Sequence, residues 1–217
     1  MHRLMQSATA LGRLTPRPRL EAVLAATLLH LEDDDFVLPL PESTCAAMLP
    51  ALGFALDIPQ PTHDTLHLAT GAALALKEAG NKRVALAYTR TGTASRTEPS
   101  WAAALRYAAQ ARLPLIAVCL APEQPARAGR PGDLTFATLH KLAAPLHLPV
   151  LTVDGADAVA LYRVMQESVL RARQGGGPAV LWCVLPAPTD RSATADPLRR
   201  LTTYLAARGL APKPSRR

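Results

Sequence analysis

The sequence predicts an α/β fold: a doubly wound, mainly parallel sheet covered by helices on both faces. Short unbroken apolar runs recur at Arg83–Tyr88, Pro114–Leu120, Pro149–Val153 and Pro178–Leu185. Strands buried on both faces read this way, whereas half-exposed strands alternate apolar and polar residues. Between these runs lie amphipathic stretches of helical length, which parallel neighbours need as crossovers. Hydrophobic content of 49% against 19% charged residues fits a globular chain rather than a disordered one. At 217 residues the chain is long enough for one well-buried domain of this class. Aromatics make up only 4%, so the core must be built from Ala, Leu and Val.

Residues 1–19 are basic and broken by Pro16 and Pro18, which predicts an arm leading into a helix over Leu20–Leu31. The acidic run Glu32-Asp33-Asp34-Asp35 closes it, and Phe36–Leu40 follows as a short buried strand. Cys45–Leu56 is a further helix candidate, weakened by Pro50. His63–Ala79 reads as a helix with Leu68, Ala69, Ala72, Ala73 and Leu76 on one face and Gly80 as its stop. The strand Arg83–Tyr88 leads into a helix over Pro99–Ala111, and the strand Pro114–Leu120 into one over Asp133–Leu146. After the strand Pro149–Val153, Ala156–Gln174 forms a long helix with Val159, Tyr162, Met165 and Val169 on one face. Gly175-Gly176-Gly177 ends it, and Pro178–Leu185 is the last strand. The closing helix has Asp196 as N-cap, Pro197 in its first turn, Leu198, Leu201 and Leu205 on one face, and Gly209 as its stop. The domain organisation read from this pass is an N-terminal basic arm and helix over 1–35, a single α/β domain over 36–210, and a basic tail over 211–217.

A net charge of +7 raises a nucleic-acid reading, but the charge gathers at the ends, at Arg3, Arg13, Arg17 and Arg19 and at Lys213, Arg216 and Arg217. Base-stacking aromatics are not interleaved with it, so nucleic acid is not the expected partner. The three cysteines, Cys45, Cys119 and Cys183, are isolated, and the latter two lie inside apolar runs as small buried hydrophobes. The sequence opens without the apolar core of a signal peptide, and no apolar run reaches the ~20 residues that span a bilayer. A cytoplasmic protein without membrane partners is expected.

Two turns carry the functional signal. Arg83-Val84-Ala85-Leu86-Ala87-Tyr88 runs into Thr89-Arg90-Thr91-Gly92-Thr93-Ala94-Ser95, and Leu113–Leu120 ends at Ala121-Pro122. With Leu68-Ala69-Thr70-Gly71-Ala72-Ala73-Leu74-Ala75-Leu76-Lys77, Val153-Asp154-Gly155-Ala156-Asp157 and Asp196-Pro197-Leu198, these pieces share an order and spacing. From about Leu66 to Leu210 the chain resembles the alpha subunit of thiamine-diphosphate-dependent 2-oxo acid dehydrogenases, the decarboxylating component of pyruvate and branched-chain complexes. The resemblance implies a thiamine-diphosphate-binding fold, Mg²⁺ and thiamine diphosphate as cofactors, and a beta-type chain that supplies the Glu activating the cofactor. It also implies oxidative decarboxylation of a 2-oxo acid with acyl transfer to lipoamide.

In that family the first turn reads Gly-Asp-Gly and the second Asn-Asn, and the Asp and first Asn bind Mg²⁺. Here Thr91 stands at the Asp position, Arg90 at the first Gly and Ala121 at the Asn. Mg²⁺ requires near-octahedral oxygen ligation; Thr91 offers a neutral hydroxyl and Ala121 no side-chain oxygen. An Arg expected to grip diphosphate after Phe36-Val37-Leu38-Pro39 is absent, the family's His-containing segment is largely deleted between Pro41 and His63, and its late loop is reduced to Pro186–Ala195. The cofactor-binding candidates are accordingly Arg90, Thr91, Gly92 and Arg96. A guanidinium can meet phosphate bidentately in place of the metal; two ordinary surface arginines are the competing reading.

No metal site is assigned. His63 and His67 could share a helix face, but no third ligand is evident, and Asp64 reads as a helix-start cap. Thr93 and Ser95 read as turn residues, because no His and acid can be matched to them. Asp154-Gly155 reads as a strand-to-helix turn, with Asp157 near the helix start. Two functions remain: a non-catalytic subunit, in a homo-oligomer or with a beta-type chain, and an active dehydrogenase subunit.

Overall fold

The architecture comes from a computed structural model, which describes residues 1–2, 4–6, 20–38, 65–91, 100–123, 134–187, 192 and 194–210. The elements are α1 (Glu21–Leu28), β1 (Phe36–Leu38), α2 (Thr65–Glu78), β2 (Ala85–Arg90), α3 (Ser100–Gln110), β3 (Leu115–Pro122), α4 (Phe136–Ala143), β4 (Val150–Asp154), α5 (Ala158–Arg173), β5 (Ala179–Leu185) and α6 (Pro197–Ala206). A 3₁₀ turn, Ala144–Leu146, follows α4. The five strands form one sheet in the order β1-β2-β3-β5-β4, with every pairing parallel.

Parallel crossovers are right-handed, and that fixes which face each helix covers. The chain steps in one direction from β1 through β2 and β3 to β4, so α2, α3 and α4 share a face. It then steps back from β4 to β5, which sends α5 to the opposite face beside α1 and α6. The two core clusters divide accordingly. Ala69, Ala73, Trp101, Ala104, Ala108 and Leu139 meet Ala85, Ala87, Leu115, Ala117, Cys119 and Trp182 on one side. Leu24, Leu161, Met165 and Leu201 meet Leu86, Tyr88, Ile116, Val118, Leu181 and Cys183 on the other. Small residues on both partners of the first cluster let helix and sheet backbones approach closely.

Helix α1 is buried from Ala22 to Leu28, as expected of a helix that is apolar all round. The one polar residue of that buried stretch, Thr27, donates to the Val23 carbonyl at 2.7 Å and lies 2.6 Å from the fully buried Tyr88 hydroxyl. Burying the phenol therefore leaves no polar group unpaired. Cys119 and Cys183 are fully buried, and burial pushes the Cys183 thiol up to about 12 and the Cys119 thiol higher still.

The predicted boundaries hold with specific shifts. Strands β2 and β3 each run two residues past the sequence estimate, to Arg90 and Pro122. Helix α4 begins at a Thr135 cap, where Thr135 and Thr138 exchange side-chain-to-backbone hydrogen bonds, rather than at Asp133. Helix α2 turns Leu66, Ala69, Thr70 and Ala73 inward, so Leu68 is 49% exposed, against the predicted face. The stripe of α5 is likewise shifted, to Leu161, Met165, Ser168, Val169 and Ala172. Gly80, Gly175 and Gly209 end their helices with positive φ, the conformation predicted for stop residues. The helix predicted over Cys45–Leu56 lies outside the described residues.

At the amino end of the sheet, Asp35 locks β1, β2 and α5 together. Its side chain is fully buried, and its carboxylate accepts from the Val84 and Glu32 amides, both at 2.8 Å, and from Arg173 at 2.5 Å. Arg83 bonds Glu32 and Asp34, and Arg173 also reaches Glu32. The acidic run read as a helix stop therefore also clamps the sheet.

Candidate functional site

In open parallel sheets the ligand crevice lies beyond the carboxyl ends of the strands. Here those ends are Thr89-Arg90-Thr91 on β2, Ala121-Pro122-Glu123 on β3, Val184-Leu185 on β5 and Asp154 on β4. Arg90 pairs with Leu120, and the Thr91 amide donates to the Leu120 carbonyl at 3.4 Å. Thr91 and Ala121 thus come from neighbouring strand ends. Arg90 is the last residue of β2 and half-buried, and Thr91 opens the turn. Gly92, Thr93, Ser95 and Arg96 lie outside the described residues, as do His63, Asp64 and Gln124.

Ala121 is not in a loop. It is a strand residue paired with Val184, 3% exposed, and its side chain belongs to the cluster beneath α2, α3 and α4. Backbone groups along β3 alternate between its two neighbours. The Leu120 carbonyl faces β2, and the Glu123 amide donates to Leu185 on β5 at 2.9 Å. By that alternation the nitrogen of Pro122 faces β2, beyond its last rung, so its missing N–H costs the ladder nothing. The β3–β5 ladder continues through Pro122 and Leu185, two residues of β3 beyond the last β2–β3 rung at Arg90 and Leu120.

Sequence reasoning placed the site at the Thr89–Arg96 and Ala121–Gln124 loops without singling out Glu123, an exposed carboxylate immediately past β3. Its signal is local, an acid directly after the apolar run and Pro122. It also passed over the partner of the Asp154-Gly155-Ala156-Asp157 turn. Arg200, on α6, bonds Asp154 at 2.5 Å and Asp157 at 2.8 Å. The hydrogen bond to Asp154 is the main cause holding this guanidinium above its ordinary value. The remaining oxygens of the two acids accept from the backbone, Asp154 from the Ala156 amide at 2.8 Å and Asp157 from Val159 and Ala160. Gly155 sits against β5, where an added Cβ would stand 2.8 Å from the Val184 carbonyl oxygen. No sequence pattern links residues more than forty positions apart, so Arg200 could not be read in advance.

Of Thr91 and Ala121, the two residues expected from the family resemblance at the metal-ligand positions, only Thr91 carries a side-chain oxygen. Among the described residues, no three His, Cys, Asp or Glu side chains are grouped to hold a metal ion, and His67 is exposed on α2. No helix among the described residues is long and apolar enough to cross a membrane.

Comparison with known proteins gives this arrangement a family. The family model "Dehydrogenase E1 component" matches residues 56–185, from ahead of α2 to the end of β5. The alpha subunit of acetoin:2,6-dichlorophenolindophenol oxidoreductase from Bacillus subtilis is 31% identical over 119 residues, 54% of this chain and 34% of that protein. The pyruvate dehydrogenase E1 component subunit alpha of Staphylococcus aureus is 32% identical over 113 residues, 52% and 30% of the two chains. The 3-methyl-2-oxobutanoate dehydrogenase subunit alpha of Mycobacterium tuberculosis is 31% identical over 163 residues, 67% and 44%. The matched regions thus cover less than half the length of these relatives. With the five-stranded parallel sheet and the shared order of its turns, these matches settle the assignment: the chain belongs to the dehydrogenase E1 component family, on its alpha-subunit side.

Proposed function

We propose that this chain is a non-catalytic alpha-type subunit, with the Mg²⁺–diphosphate grip of its family lost or altered. One observation carries the reading: Ala121, at the metal-ligand position, is a buried strand residue whose methyl group faces apolar core. A residue so placed supplies no oxygen to an octahedral cation. Thiamine diphosphate and Mg²⁺ are the family's cofactors, and Ala121 offers that metal no side-chain oxygen, so no catalytic step is derived through it.

Partnership with a beta-type chain, or with further copies of itself, is the role that remains. Helix α2 supports it: its outward side carries Leu68, Gly71 and Ala75, and Tyr107 is 48% exposed on the adjoining α3. A partner chain seated on α2 and α3 would cover these side chains. Any anion retained by the crevice would meet Arg90 and Thr91, with Gly92 and Arg96 proposed beside them.

The alternative, an active 2-oxo acid dehydrogenase subunit, is favoured by Glu123, a carboxylate two residues past Ala121 at the crevice end of β3. Titration calorimetry with thiamine diphosphate separates the readings, run with and without Mg²⁺ and with and without a beta-type chain. The non-catalytic reading expects no Mg²⁺-dependent binding in either setting. Mg²⁺-dependent micromolar binding that Glu123→Gln abolishes would establish the active subunit instead. Binding that ignores Mg²⁺ and falls with Arg90→Ala would assign the phosphate to the arginines.

A further inference from the structure

We draw no further inference here: the strongest candidate, a cleft of about 210 Å³ between the first turn of α5 and α6 lined by Val159, Arg163, Leu201 and Tyr204, is a helix start whose amide donors are already capped by Asp157 and whose Arg200 is already held by Asp154 and Asp157, and nothing else among the described residues points to a ligand.

Discussion

Placing asparagine, the residue the family resemblance implies, at position 121 tests the central geometric claim. If the Ala121 side chain faces core, Ala121→Asn places a carboxamide between β3 and the helices covering it, against Cys119 and Ala117 of its own strand face. An amide buried without partners costs about 1–3 kcal/mol on protein scales. Forcing the added atoms into packed space costs a further 1–3 kcal/mol or so. The sum is about 2–6 kcal/mol, a large part of the roughly 5–15 kcal/mol that holds a domain folded. With a urea dependence of about 1–3 kcal/mol per molar, the unfolding midpoint should fall by about 1 M or more. Ala121→Val separates the two contributions, since it adds volume without polarity and should cost clearly less than Asn. Urea unfolding followed by circular dichroism, with and without Mg²⁺ and thiamine diphosphate, measures both. An Asn variant that keeps its midpoint and gains Mg²⁺-dependent binding would put position 121 in the crevice, and the non-catalytic reading would fall with it.

Other consequences are open to direct measurement. Asp35→Ala should cost about 1–3 kcal/mol in urea unfolding, because it leaves the buried Val84 amide without its acceptor and removes one of the two carboxylates that hold Arg173; a loss below about 0.5 kcal/mol, within the range of ordinary surface substitutions, would refute the clamp. Gly155→Ala drives a Cβ into the Val184 carbonyl and should destabilise by about 1–3 kcal/mol as an overpacking change, so an unchanged melting temperature would contradict the close approach. The buried thiols make stability fall in alkali. Their folded pKa values are raised, so the native state keeps protons that the unfolded chain releases above about pH 9. Stability is fully present below that pH and is lost as pH rises toward about 12 for Cys183. The slope is at most about 1.4 kcal/mol per pH unit for each thiol. Cys183→Ala should flatten the curve between pH 9 and 11, and an unaltered slope would place the thiol elsewhere.

The sequence made the order of elements legible because buried parallel strands and capped helices leave strong local signatures. Asp196 accepts from the Arg199 amide as its N-cap position requires, and Gly209 takes the positive φ of a stop. What stayed hidden were properties set by neighbours distant in sequence. Hydropathy ends β2 at Tyr88 and β3 at Leu120, yet a ladder continues as long as the adjacent strand supplies partners, and Leu120 and Leu185 supply them to Arg90 and Pro122. In α2 apolar residues lie on both sides, with Leu66, Ala69 and Ala73 inward and Leu68 outward, so hydropathy alone does not say which leucine packs. The candidate site suffers from the same limit. The family resemblance implies an asparagine where Ala121 stands, but only the extra rungs of β3 show that the Ala121 side chain sits in core. Physically, then, Ala121 is a packed residue within β3, with its methyl group in the core beneath α2, α3 and α4.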